Sequence, residues 1–471
     1  MSEEDFSFPT CAGNIKVEVT DEALTPFGGL VAFASFLKRT SILEDLSSSC
    51  PVERTSPNAA PIYDILASFL LTSVCDGDRF NHVNRLRYDP SLPEIFGVNK
   101  IVGDDTIRRF FGSIEREKGR NWPATNTKKM WSILPKNFIL DWDSTVLTKY
   151  GKQEEAEIGY NPTKKGRPSF HPLMATVSGT RIVPYYLMRP GNTVSASQWQ
   201  DAMEQCLEWL GEENQPALNR GDIGFGIESI MNWHETRQNA PNYLFKLKVT
   251  SKVRELIKSV SEEEWQGAKS RGLLQVVDKE IKLSGWTKSR RVILARREHR
   301  AVTAESGKSL FDFAEFKYDA YVTDLSIEEV QTWQIVDLYN QRSDCENIFD
   351  ELKNQWGLDG FCSKNANVTE LAARFTLLTY NLWNLFSRLM EPDRHVEAGT
   401  GRRWYTLIAS RLVKTAREKI IKLSVSNSWE KQIKDGYTRV CKWIRSTAPQ
   451  LDFTKKIEVN LTPNLNPILL N

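Results

Sequence analysis

The stretch Phe138-Ile139-Leu140-Asp141-Trp142-Asp143-Ser144-Thr145-Val146-Leu147 decides the fold. It reads as a strand that carries two carboxylates. With a period of two, Ile139, Asp141, Asp143 and Thr145 share one face. An acidic pair on an otherwise apolar strand is costly unless it binds something or sits at the strand end. Downstream, Leu173 to Val177, a turn at Ser178-Gly179, and Ile182 to Met188 form a hairpin. Ala196 to Leu210 is a helix with Trp199, Met203, Leu207 and Leu210 at helical spacing. Ala217 to Asp222 reads as a short strand ending in an Asp, then a Gly-rich turn into a helix from Ile227 to Glu235. An Asp at a strand's carboxyl end in an α/β arrangement points at the usual ligand crevice. Tyr243 to Lys248 is another strand.

Strand, strand, strand, helix, strand, helix, strand is the order of an α/β ribonuclease H-like core. Upstream, Ile15 to Val19 reads as a short strand and Leu30 to Leu46 as a helix, followed by a Ser/Pro-rich link over Ser47 to Pro61. Tyr63 to Val74 is an apolar helix. Asp104-Asp105-Thr106 signals a helix start before Ile107, Phe110, Phe111 and Ile114, with Arg108 and Arg109 off that apolar face. This basic helix reads either as a helix-turn-helix-like DNA reader or as a plain helical subdomain with surface arginines. Residues 116–136 are polar and basic, with Pro123 and Pro135, and read as a linker. After Lys248, Leu274 to Ile281, Trp286 to Arg296 and Phe316 to Thr323 form a β-rich insertion. The chain then reads as helical at 371–390, 404–423 and 429–444, with a loosely ordered tail from Pro449. The expected domains are 1–130, a helical N-terminal DNA-binding region; 137–248, the first part of the core; 249–330, the insertion; 331–365, the core helix with a third acidic residue; and 366–471, a helical C-terminal region with a possible dimer surface.

That core helix, roughly 328–356, holds the densest chemistry. At about 100° per residue, Tyr339, Arg342, Glu346 and Lys353 fall on one narrow stripe. Ile348, Phe349, Leu352 and Trp356 lie on the adjacent arc, against a core. Asn340, Asp344, Asn347 and Glu351 fall on the far side, toward water. A carboxylate flanked by two cations and a phenol on a rigid helix suits a phosphate-and-metal site. The alternative is a solvated surface with an Arg342–Glu346 i,i+4 pair.

Composition sets further bounds. The chain has 471 residues, 40% hydrophobic and 26% charged, which is ordinary for a globular chain of more than one domain. It has no run of 18 apolar residues, so no membrane span is expected, and the acidic start Met1 to Asp5 lacks the apolar core of a secretion signal. Seven scattered cysteines without a C-x-x-C pair argue against a disulfide framework or a zinc ribbon, and for a cytoplasmic protein. Any metal would be held by carboxylates, which suits Mg²⁺ or Mn²⁺. Net charge is only +2, but residues 402–422 hold seven Lys/Arg against one Glu, and residues 284–300 hold six against one. Such runs serve either a DNA-tracking surface or a solvated face.

Three carboxylates stand out: Asp143, Asp222 and Glu346. With these residues the chain resembles a DDE transposase of bacterial insertion sequences, in the group with a Tyr-Arg-Glu-Lys signature. Tyr339, Arg342, Glu346 and Lys353 match that signature's gaps of two, three and six residues. Asp143-Ser144-Thr145 resembles the first-Asp motif, and Arg220 to Phe225 the second, where Gly221 and Ile223 depart from the Ala and Ser often found there. The resemblance covers roughly 60 to 380. It implies that Asp143, Asp222 and Glu346 are catalytic and hold two Mg²⁺ (or Mn²⁺) ions. Arg342 and Lys353 would contact phosphates, and Tyr339 would donate to a phosphate near the transposon end. Asp141 is the alternative first Asp. Trp286 would stack on a flipped base, or else is a core or edge-strand Trp. The implied partners are double-stranded DNA (transposon ends and target) and a second copy of the chain, giving a homodimer on DNA. The implied activity is terminal-repeat binding, metal-dependent cleavage and strand transfer. A nuclease without strand transfer and a transposase-derived DNA-binding protein are the rival readings.

Overall fold

The computed structural model describes residues 6–267, 274–299 and 315–446. Its centre is a nine-stranded mixed sheet. In chain order the strands are β1 (Ile139–Ser144), β2 (Leu173–Val177), β3 (Ile182–Leu187), β4 (Leu218–Gly221), β5 (Asn242–Leu247), β6 (Gln266–Gly267), β7 (Leu274–Ile281), β8 (Arg290–His299) and β9 (Glu315–Thr323). Their spatial order is β6-β7-β8-β9-β5-β4-β1-β2-β3. β1 to β3 form an antiparallel meander, and β4 runs parallel to both β1 and β5. The expected helices between them are present at Trp199–Leu210 and Glu228–Thr236. The β-rich insertion does not form a separate sheet. β9 pairs antiparallel with β5, so the insertion lengthens the core sheet by four strands.

Alternation along β1 sorts its side chains. Leu140 and Trp142 join the larger apolar cluster, while Ile139 joins the smaller one with Leu218, Leu244 and Ile335. Asp141 and Asp143 therefore face the side that the Thr332–Asn340 helix covers.

The Ala366–Met390 helix is buried nearly all round, as its apolar circumference demands. It packs against the helices Ile62–Val74, Asp104–Ser113, Arg116–Thr127 and Asn427–Ile444. Its Asn381 closes the edge of the sheet: the side-chain oxygen accepts from the Val183 N–H at 3.0 Å, and the amide donates to the Val183 carbonyl at 2.8 Å. An edge strand covered in this way offers no free ladder at that position. Glu370 on the same helix is buried among Arg116, Arg120 and Arg374. These arginines hold its carboxyl at about 2 despite burial.

Several elements differ from expectation. The single core helix is two, Thr332–Asn340 and Ser343–Gln355. Between them the Arg342 N–H bonds the Tyr339 carbonyl at 3.0 Å, and the Cys345 N–H bonds the Arg342 carbonyl at 3.0 Å. These tighter three-residue bonds break the α-helical phase, so the four signature side chains do not form one straight stripe. Glu351 does not face water. It is buried, accepting from His395 Nε2 at 3.1 Å and the Ala398 N–H at 3.0 Å.

Residues 116–136 are not a linker. Glu115 caps a helix over Arg116–Thr127, followed by a 3₁₀ turn over Lys128–Ile133, and Trp122, Met130 and Trp131 are buried. A few large apolar residues outweigh the polar majority there. The Leu30 to Leu46 helix breaks at Ser41, whose φ of 54° is left-handed. The expected helix at 404–423 is instead a hairpin, Ser410–Lys414 with Lys419–Leu423, whose first strand pairs with Leu24–Thr25. Its partner lies almost four hundred residues away in the chain, beyond any local signal. The expected tail from Pro449 lies outside the described residues. No helix among the described residues is long and apolar enough to cross a membrane.

Candidate active site

β1 and β4 are adjacent and parallel, so their carboxyl ends open on the same edge of the sheet. Asp143 is the next-to-last residue of β1, and Asp222 follows directly after β4. The Asp222 carboxylate is held by its own turn, accepting the Gly224 N–H at 2.8 Å. Asp143 feels the charge of Asp222. Burial raises the Asp143 carboxyl, Arg342 opposes that rise, and the charge of Asp222 adds to it, leaving Asp143 at about 6.

The helix break brings Arg342 onto this pair. Its Nη2 contacts Asp143 Oδ2 at 2.7 Å, so Arg342 pairs with Asp143 and not with Glu346. Arg342 is buried, and its Nε has no hydrogen-bond partner. Tyr339 is half-buried with its ring 4.8 Å from that of Tyr321. Its hydroxyl is pushed up to about 12, mainly by burial, with Arg342 opposing and Asp222 and Asp143 reinforcing. Lys353 is also half-buried; burial lowers its pKa, against the pull of Asp359 and Asp143. Glu346 stands apart. It is exposed, one turn beyond Arg342, and its side chain makes no ion pair among the described residues.

Asp141, the rival first carboxylate, is engaged elsewhere. It is 1% exposed and receives two bonds from the fully buried Arg220, Nε to Oδ1 at 2.6 Å and Nη2 to Oδ2 at 2.7 Å. Arg220 also donates to Ser178 Oγ at 2.8 Å and to the Leu338 carbonyl. This pair ties β1 and β4 to the turn after β2 and to the Thr332–Asn340 helix. Sequence reasoning assigned no partner to Asp141, because Arg220 lies 79 residues away. It also passed over His171, which lies close enough to Asp222 for that charge to raise its pKa, although burial lowers it more.

Among the described residues, Trp286 does not join this group by a hydrogen bond or ion pair. It sits in the turn between β7 and β8, partly buried, with the Arg290 guanidinium 5.1 Å from its ring centre. Arg290 is itself buried and bridged to Glu228 and Glu235. The basic run 284–300 is therefore largely internal: Arg291 pairs with Asp278 and Arg296 with Glu262, while Arg300 lies outside the described residues. The run 402–422 is mostly exposed, and only part of it is paired. Arg402 is buried on the Val74 and Ser73 carbonyls, Arg411 pairs with Glu22, and Lys414 and Lys419 pair with Glu94. The first run is thus not the open basic face that its composition invites, whereas the second keeps Arg403, Arg417 and Lys422 exposed.

The donor set of Asp143, Asp222 and Glu346 is all oxygen, as a hard divalent cation requires. A carboxyl whose proton affinity is raised by burial and by a neighbouring carboxylate is one that a cation relieves. Among the described residues, however, no three acidic, His or Cys side chains are gathered closely enough to hold an ion. The fit is thus a poised aspartate pair with a free third carboxylate one helical turn from Arg342.

The chain has structural similarity to a piggyBac transposase in a cryo-EM structure of its synaptic complex with hairpin DNA, with a TM-score of 0.42 and 13% identity, covering 94% of this chain and 89% of that chain. No curated protein matches the chain. Residues 9–443 match the family described as transposase DDE domain, group 1, and the chain belongs to that family.

Proposed function

We propose that this protein is a DNA transposase of the bacterial insertion-sequence type, acting as a homodimer on DNA. It binds the terminal inverted repeats of its element, pairs two ends, and cuts and rejoins them on a ribonuclease H-like core. The observation that carries this reading is the pair Asp143 and Asp222 at adjacent strand ends, with Arg342 seated on Asp143. Asp143, Asp222 and Glu346 would hold two Mg²⁺ or Mn²⁺ ions. When bound, such ions activate a water or 3′-hydroxyl oxygen and stabilise the leaving oxygen.

The protein's own groups position the DNA strand. Arg342 has a buried, unpartnered Nε and one carboxylate contact, so an arriving phosphate can take charge-assisted bonds from it as Asp143 is released. Lys353 would contact another phosphate, and Tyr339 would donate its hydroxyl to a further one. Trp286, backed by Arg290, would stack on an extruded base.

The test uses the full chain with duplexes carrying the DNA that flanks its coding region. Nicking and release of ends are expected with Mg²⁺ and not with chelator, and pre-cut 3′-hydroxyl ends are expected to join a target plasmid. Cleavage without any joined product would make the protein a nuclease. No metal-dependent cleavage would defeat the reading. In the same assay Trp286→Ala is expected to slow strand processing by about tenfold, as loss of one base-stacking contact does, with end binding little changed. Unchanged rates would return Trp286 to a purely structural role.

A further inference from the structure

A further group of cations gathers away from both basic runs. The Ser/Pro-rich link, Arg87, residues 100–103 and one face of the Asp104–Ser113 helix enclose an open groove of about 590 Å³. Its lining holds four cations, Arg54, Arg87, Lys100 and Arg109, against one acid, Glu53. All four cations are exposed. None forms an ion pair among the described residues. Arg87 reaches the Asn84 side-chain oxygen at 3.5 Å, Arg109 reaches the Asp105 carbonyl at 3.3 Å, and the Arg54 guanidinium lies 5.7 Å from the Phe110 ring centre.

The neighbouring acids are neutralised outside the groove. Arg108 contacts Asp104 at 2.6 Å and Asp105 at 2.7 Å, and none of these three residues lines it. The floor is rigid, since Ile101, Val102 and Phe110 are buried. Thr55 and Ser56 add neutral hydroxyls along one wall, a donor type that serves phosphate oxygens.

Four like charges held around one groove repel each other. A chain of regularly spaced negative charges relieves that repulsion at several points at once, and a single small anion does so at one or two. We propose that this groove seats the phosphate backbone of duplex DNA, without reading its sequence, using residues none of which belongs to the carboxylate site. The proposal rests on the DNA-processing function above and names a second surface through which the same substrate is held.

The test is equilibrium binding of the full chain to a labelled duplex of arbitrary sequence across a range of KCl concentrations. The quadruple variant Arg54→Gln/Arg87→Gln/Lys100→Gln/Arg109→Gln is expected to flatten the slope of log K against log[KCl] by about 3 to 4, and to weaken binding on the order of 10²-fold at physiological salt. Lys100→Gln alone, at an exposed position, should flatten the slope by about 1 and serves if the quadruple variant fails to fold. Arg108→Gln, outside the groove, should leave the slope unchanged. If the wild type binds and the groove variants keep its slope, the groove is not a DNA seat and the transposase reading stands. If inorganic phosphate binds in the groove while the duplex slope is unaffected by the variants, the site is for small anions and the proposal falls. If the wild-type chain does not bind duplex DNA at all, the functional reading itself falls.

Discussion

Asp143→Asn and Asp222→Asn are each expected to reduce metal-dependent DNA cleavage by on the order of 10³-fold or more, because each removes a charge on which the transition state depends. Glu346→Gln should have a comparable effect if its exposed carboxylate completes the site once DNA and metal arrive. Duplex binding should change little in all three, since phosphate contacts come from other residues. Gel assays of cleavage beside binding isotherms give the two readouts. Full cleavage in any one variant removes that residue from the catalytic set.

The same site predicts a pH dependence. A carboxyl near 6 is protonated as pH falls through that value, and a protonated acid is a poor metal ligand. Wild-type cleavage should therefore decline below about pH 6, earlier than ordinary carboxylates would dictate. Burial is the main cause, with the charge of Asp222 adding to it against Arg342, so Asp222→Asn should move this limb to lower pH in any residual activity. A limb that stays in place would show that the two carboxylates do not interact.

Asp141→Asn is expected to act on stability instead. It leaves the guanidinium of Arg220 buried without its counter-charge, and breaking a pair so fully buried costs about 3–5 kcal/mol. Arg220→Met should cost a similar amount by stranding Asp141. The double variant Asp141→Leu/Arg220→Met should be less damaging than the two single effects summed, because no lone charge remains. Denaturant unfolding followed by circular dichroism measures all three. If Asp141→Asn instead keeps wild-type stability and abolishes cleavage, Asp141 and not Asp143 is the reacting carboxylate.

Much of the core was legible because its signals are local. Alternation along 139–145 placed both aspartates on one face of β1. The Gly-rich turn after Gly221 put Asp222 past a strand end, where its side chain bonds the Gly224 N–H. The element order from β1 to β5 followed from the periods of two and 3.6. Charge runs were a poorer guide. Lys and Arg at 284–300 look like an open basic face in one dimension, yet their partners Asp278, Glu228 and Glu235 come from distant segments, as do Glu22 and Glu94 for part of the exposed run 402–422. The groove around Arg109 shows the converse, with cations too dispersed in sequence to register as a patch.

The sequence by itself determined the strand that carries Asp141 and Asp143, the Gly-rich turn that follows Gly221 and the alternating α/β order, since each depends on residues within a turn or strand of one another. Only the tertiary structure shows that Arg220 holds Asp141 and that Arg342 holds Asp143. Asp141 and Asp143 are equivalent to any reading of period two. They part because Arg220, from the neighbouring parallel strand, neutralises one of them in the dry interior. The other sits at the strand end, where the break at Gln341 and Arg342 delivers the guanidinium that contacts it.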